Sequence, residues 1–271
     1  MGQIIVSAAD CVTAKLVEEA GFDGIWISGF EASARLGLAD NGSITMTEML
    51  NIAKPIVEAV KIPVYVDTDT GYGNFKRTVR EFEKIGVAGI CVEDNLPELK
   101  QNSLWGDKIP LMDMREFGEK IKSAGWENRK LIIMARTEAL IRGYGFEEAN
   151  KRLNHYSSCG ADAVLPHVRD IKDLVSAEKY TPIISPIVPF VQEKWWRVKT
   201  AIVPTKLPEM TNKQLFSMGY DLVIWANQTE RVKIKSTREC LKSLKENDCA
   251  LHIEENLSAT LDDMKGLMPD D

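Results

Sequence analysis

Short apolar runs alternate with amphipathic stretches along this chain, and the alternation is the strongest constraint on its fold. The runs are Ile4–Ser7, Gly24–Ile27, Val64–Asp67, Gly89–Glu93, Leu131–Arg136, Ala163–His167, Thr200–Val203 and Leu222–Trp225. Helical periodicity marks Cys11–Ala20, Thr45–Val60, Phe75–Ile85, Met112–Ala124, Phe146–Cys159, Ile171–Lys179, Thr211–Ser217 and Glu230–Glu246. Strand–helix units in strict alternation imply parallel pairing. Eight of them imply an α/β fold of the (β/α)8 TIM-barrel type, which takes about 250 residues. An open, doubly wound sheet is the alternative. At 271 residues the chain suits one barrel domain over 1–246, with a C-terminal helical extension over 247–271. Gly21, Gly86, Gly160 and Gly219 each stand just past a helix and just before a strand. That is the place for a left-handed cap leading into a short loop.

In a parallel barrel, active sites form at the C-terminal ends of the strands. Here those ends carry acids. Val66-Asp67-Thr68-Asp69-Thr70-Gly71 closes one run, and Glu93-Asp94 closes the next. Either pair alone reads equally well as a solvated turn or a helix cap. Two successive strand ends bearing acids point to a hard divalent cation such as Mg2+, which needs few protein oxygens. Arg136 and His167 end later runs, and Lys100 and Asn102 follow the Glu93 strand. Together these would surround an anionic group, a phosphoryl or a carboxylate. The purely structural alternatives are a salt bridge of Arg136 with Glu138 or with an acid on a neighbouring strand, and a capping or core role for His167.

Two long loops are expected, at Ser28–Ser43 and at Asn95–Pro110, the second holding Trp105. Long loops on the catalytic face of a barrel are usually functional. Thr181–Lys199, with Trp195-Trp196, reads as an insertion, and Lys206 as a supporting residue. The tail holds an amphipathic stretch near Leu257–Leu267 that would pack on a neighbouring subunit or fray.

The net charge of −6 argues against a nucleic-acid or anionic-membrane binder. No apolar run approaches the roughly 20 residues that span a bilayer, and the first residues lack signal-peptide character. Val6 spoils a myristoylation motif. Five widely spaced cysteines, Cys11, Cys91, Cys159, Cys240 and Cys249, suggest a reduced, cytoplasmic chain without a zinc site. Cys91 reads as a small core residue. GxSxG, HExxH and Walker A motifs are absent from the sequence.

Several segments in one order resemble the phosphoenolpyruvate mutases, within the isocitrate lyase and phosphoenolpyruvate mutase superfamily. They are Gly24-Ile25-Trp26-Ile27-Ser28-Gly29-Phe30, Leu36-Gly37-Leu38-Ala39-Asp40, Asp67-Thr68-Asp69-Thr70-Gly71-Tyr72-Gly73-Asn74, Val92-Glu93-Asp94, Ala135-Arg136-Thr137-Glu138, Ile202-Val203-Pro204-Thr205-Lys206 and Val223-Ile224-Trp225-Ala226-Asn227. The resemblance implies Asp67 as the direct Mg2+ ligand, with Asp69 and Glu93 acting through water. It implies that Trp26, Ser28, Gly29, Phe30 and Ser103 contact a small-molecule substrate. It gives Arg136 and His167 the grip on that substrate, and places Asp40, Lys100 and Asn102 in a lid near the phosphoryl group.

The implied activity is interconversion of phosphoenolpyruvate and phosphonopyruvate, by a homo-oligomer, dimer or tetramer. Phosphonopyruvate hydrolysis is the first alternative. Cleavage of a small 2-oxo or 2-hydroxy dicarboxylate is the second, and a barrel without catalysis the last. Related lyases carry a cysteine in the loop that here reads Lys100-Gln101-Asn102-Ser103, and related hydrolases carry threonine where this chain has Asn102. Asn95 departs from the family's usual lysine, and the spacing from Glu93 to Lys100 is longer by one residue.

Overall fold

The computed structural model describes residues 2–103, 108–125, 129–170 and 198–268. Eight strands close into a barrel in sequence order: β1 Gln3–Ser7, β2 Gly24–Ile27, β3 Val64–Asp67, β4 Gly89–Glu93, β5 Ile132–Thr137, β6 Ala163–Pro166, β7 Lys199–Ile202 and β8 Leu222–Trp225. Every neighbouring pair is parallel, and β8 returns to β1 with Ile4 opposite Val223. The closed barrel excludes the open-sheet alternative.

The described helices are α1 Cys11–Glu19, α2 Gly29–Leu36, α3 Met46–Ala59, α4 Phe75–Lys84, α5 Met114–Ser123, α6 Phe146–Ser158, α7 Asn212–Ser217, α8 Gln228–Asn247, α9 Leu251–Asn256 and α10 Leu261–Gly266. The four glycine joints take the left-handed conformation expected of them, with φ of +78°, +84°, +101° and +96° at Gly21, Gly86, Gly160 and Gly219.

One element differs from expectation. The presumed loop from Ser28 to Ser43 opens with α2, which ends at Gly37 in the left-handed region. Packing explains it: Ala32 and Ser33 are buried on the barrel wall, and this outweighs the poor helix propensity of Gly29 and Ser33. The expected helix at Ile171–Lys179, Trp105 and Trp195-Trp196 lie outside the described residues. After residue 247 the chain forms α9 and α10, and the Lys15 ammonium donates to the Leu267 carbonyl at 2.7 Å.

Side chains alternate across each strand, and this divides the core. Ile25, Val66, Ile90, Val92, Ile133 and Val164 face outward into the layer beneath the helices. Ile5, Trp26, Tyr65, Cys91, Met134, Leu165, Ala201 and Ile224 fill the barrel interior. Cys91 is thus a core residue, as read from sequence. Tyr65 fits because Gly89 lies beside it: a Cβ there would stand 2.8 Å from the Tyr65 ring.

The same period of two builds the site. Two residues beyond Trp26, Tyr65, Cys91, Met134 and Leu165 stand Ser28, Asp67, Glu93, Arg136 and His167. Each continues the inward face at the C-terminal mouth of the barrel.

Candidate active site

At that mouth lies a pocket lined by Trp26, Ser28, Phe30, Asp40, Asp67, Asp69, Lys100, Asn102, Ser103, Arg136 and His167. Gly29 and Glu93 border it. Gly29 approaches so closely that a Cβ would sit 2.9 Å from Asp69 Oδ1. Glu93, fully buried, pairs with Arg136. The candidate residues are therefore brought together.

Arg136 organises the floor. Its Nη1 donates to Asp67 Oδ2 at 3.0 Å, its Nε to Glu138 Oε1 at 2.6 Å, and its Nη2 to Glu93 and to Ser103 Oγ at 3.3 Å. The salt bridge to Glu138 is real, and it is one contact of several. His167 Nδ1 lies 2.8 Å from the same Glu138 oxygen. Burial opposes charge on Glu138, but Arg136 and His167 outweigh it and hold the carboxyl well below the usual range.

Lys100 organises the roof. Its ammonium lies 2.8 Å from Asp40 Oδ1 and 3.1 Å from Asp69 Oδ1. The Asn102 amide donates to the other Asp40 oxygen. Burial disfavours the charged lysine, but Glu93, Asp69 and Asp40 overcome this and hold its pKa above the ordinary value.

Negative charge is in excess here. Burial first, and then repulsion from Asp67 and Asp40, pushes Asp69 up to about 6 against the pull of Lys100. Burial pushes Glu93 up to about 8, with Glu138 adding to it and Arg136 opposing. Asp69 also sits at φ +49°, a left-handed conformation that aspartate tolerates better than most residues.

Among the described residues no group of three or more His, Cys, Asp or Glu converges as a ready-made metal cage. The donor set nonetheless fits Mg2+, which binds through one or two carboxylates and keeps several waters. Asp67 and Asp69 stand together, and Asp69 Oδ2 is buried with no hydrogen-bond partner.

The acidic pair Glu93-Asp94 divides its work. Glu93 turns inward, whereas Asp94 accepts from Thr137 Oγ1 at 2.8 Å, Tyr156 OH at 2.7 Å and Arg152 Nη1 at 3.1 Å. Its other oxygen accepts from the Glu138 amide at 2.9 Å, so it props up the strand end that carries Glu138. Asp94 is not a pocket residue.

Val203, Thr205, Ala226 and Asn227 line the pocket and were given no role from sequence. Two signals point to them: their place at the ends of the β7 and β8 runs, and their membership of the segments 202–206 and 223–227 that carry the family resemblance. Lys206 is exposed and does not line it.

The family model described as phosphoenolpyruvate phosphomutase matches residues 3–245. The chain is 34 % identical over 256 residues to the phosphoenolpyruvate phosphomutase of Tetrahymena pyriformis, covering 92 % of this chain and 81 % of that protein. It is similar to the crystal structure of the phosphoenolpyruvate phosphomutase from Streptomyces platensis subsp. rosaceus, with a TM-score of 0.86 and 32 % identity, covering 98 % of this chain and 90 % of that one. A phosphonopyruvate hydrolase in complex with oxalate and Mg2+ gives a TM-score of 0.83 at 28 % identity, covering 98 % and 89 %. By its sequence over nearly its whole length, the chain belongs to the phosphoenolpyruvate phosphomutase family.

Proposed function

We propose that this protein interconverts phosphoenolpyruvate and phosphonopyruvate with Mg2+ as cofactor. The observation that carries the reading is the junction of Asp40, Lys100 and Asn102 over the pocket. In this reaction the phosphorus–oxygen bond breaks, the phosphoryl group passes through a loose, metaphosphate-like state, and C3 of the pyruvate enolate captures it. Water in the pocket would divert it to inorganic phosphate. A roof tied down by an ammonium and an amide is what such a reaction requires.

The remaining residues fit the same substrate. Ser28 makes no side-chain cap on α2, so the positive end of that helix, beside Asp67 and Asp69, suits a carboxylate. Arg136, His167, Lys100 and Asn102 supply donors for the phosphoryl oxygens, and Ser28 supplies one for the keto oxygen. Asp67, Asp69 and Glu93 would hold Mg2+, which when bound neutralises charge on the carboxylate and enolate oxygens.

Hydrolysis of phosphonopyruvate is the second reading. It is favoured if the altered lid admits an ordered water; in that region Asn95, where the family resemblance implies lysine, donates its amide to Glu93 Oε1 at 2.6 Å. Asn102 favours the mutase. A carbon–carbon lyase is disfavoured because the loop has no cysteine at 100–103. The exposed apolar residues Val232, Leu241, Leu261 and Met264 of α8 and α10 are the surface that a homo-oligomer would bury.

Phosphorus NMR of the protein with phosphonopyruvate and Mg2+ tests the reading. A phosphoenolpyruvate signal is expected. Inorganic phosphate alone would transfer the assignment to the hydrolase, and no reaction would exclude both.

A further inference from the structure

Arg142 is the largest fully buried side chain among the described residues, at 1 % exposure, and the reaction outlined above does not use it. It lies in a turn that follows directly on Glu138. The turn is closed by Arg142 N donating to the Glu138 carbonyl at 2.9 Å, Gly143 N to Leu140 at 3.0 Å and Tyr144 N to Ala139 at 2.9 Å. From this rigid base Arg142 Nη2 donates to the carbonyl of Gln101 at 3.0 Å. Gln101 is flanked by Lys100 and Asn102, the two residues that hold Asp40.

Two residues along, the Tyr144 hydroxyl donates to the carbonyl of Ile109 at 3.1 Å. The ammonium of Lys108 lies 4.8 Å from the centre of the Tyr144 ring. One turn after β5 therefore grips the loop after β4 on both sides, at 101 and at 108–109. Taking a guanidinium fully out of water is costly. Its hydrogen bond to loop backbone is therefore a strong constraint on where that backbone can lie.

We propose that Arg142 and Tyr144 are positioning residues, which hold Lys100, Asn102 and Ser103 over the pocket in the geometry that keeps water from the phosphoryl group. The water-exclusion half rests on the phosphoryl-transfer reading above. The clamp itself does not.

The test uses the full chain carrying Arg142→Met, Arg142→Lys or Tyr144→Phe. The first readout is the ratio of inorganic phosphate to phosphoenolpyruvate formed from phosphonopyruvate and Mg2+. This ratio is independent of how much protein is folded. It should rise about tenfold in Arg142→Met and Tyr144→Phe, the worth of one hydrogen bond, and return toward wild type in Arg142→Lys. The second readout is backbone hydrogen exchange, which should quicken by about tenfold at residues 99–103 in Arg142→Met and at residues 108–112 in Tyr144→Phe.

Unchanged exchange in the folded variants overturns the clamp. Faster exchange with an unchanged product ratio overturns its role in excluding water. Should Arg142→Met fail to fold, Tyr144→Phe, which removes a single oxygen, decides. A wild-type protein that forms neither product defeats the proposed function alone, and exchange still judges the clamp.

Discussion

Lys100 Nζ stands 2.8 Å from Asp40 Oδ1, so one ammonium joins the segment after α2 to the loop after β4. The same ammonium reaches Asp69 at 3.1 Å. Both sides of this junction are almost dry, with the Lys100 side chain 4 % and that of Asp40 12 % exposed. Lys100→Met should lower kcat/KM for phosphonopyruvate by about 10²–10³-fold, the usual cost of one preorganised donor. Steady-state kinetics check this, and a loss below threefold, roughly the effect of a neutral surface change, would remove Lys100 from the chemistry.

Gly29→Ala tests the approach of α2 to the acids. The added methyl would lie 2.9 Å from Asp69 Oδ1, closer than real contacts allow. Asp69 must shift, so affinity for oxalate in the presence of Mg2+ should fall about tenfold or more, a strain of roughly 1.4 kcal/mol. Titration calorimetry reads this directly. Unchanged affinity would mean that the Asp69 carboxylate gives way without cost and that its contact with α2 does not set the ligand site.

Mg2+ and oxalate should stabilise the protein together. Oxalate resembles the pyruvate enolate and needs the cation to sit among so many carboxylates. At about one hundred times its dissociation constant a ligand adds about 2.7 kcal/mol to stability. Thermal melting should show that gain with oxalate plus Mg2+, and none with oxalate in EDTA. Equal shifts in both would argue against a metal-held ligand.

Glu31 sets a pH dependence of stability. It is 2 % exposed and accepts from Ser7 Oγ at 2.9 Å. Burial is the main cause that pushes it up from 4.5 to about 7; Glu230 and Asp10 add repulsion, while Ser7 and Lys233 oppose. The folded chain therefore keeps a proton that the unfolded chain releases above pH 4.5. The stability this confers is complete below that pH and is lost as pH rises through about 7. Wild type should lose on the order of 2 kcal/mol more than Glu31→Gln over this window, because the raised Asp69 and Glu93 contribute the same loss to both proteins. Urea unfolding at pH 5 and pH 8 makes the comparison, and parallel losses in both proteins would acquit Glu31.

Much of the barrel was legible because its cues are local. A glycine past each of four helices announces a left-handed cap whatever surrounds it, and Gly21, Gly86, Gly160 and Gly219 adopt it. Alternation of period two carries Asp67, Glu93, Arg136 and His167 to the inner face as soon as the strands are known. The helix α2 was not legible, because Gly29, Gly37 and Gly42 read as a loop and only burial against the barrel favours a helix there.

Eight parallel strands, the clustering of acids and bases at their C-terminal ends, and the family resemblance can all be read from the order of residues alone. Local propensity and strand periodicity suffice for the strands and for the clustering, and the ordered motifs for the family resemblance. Which charges meet follows from the folded barrel: Arg136 with Asp67, Glu93 and Glu138 at once, Lys100 with Asp40 and Asp69, Arg142 with the backbone of Gln101, and Asp94 with Arg152 outside the pocket. Such pairings join residues distant along the chain through long side chains with many rotamers. Closure of the barrel sets which of them lie within reach, and burial makes each unpaired alternative costly.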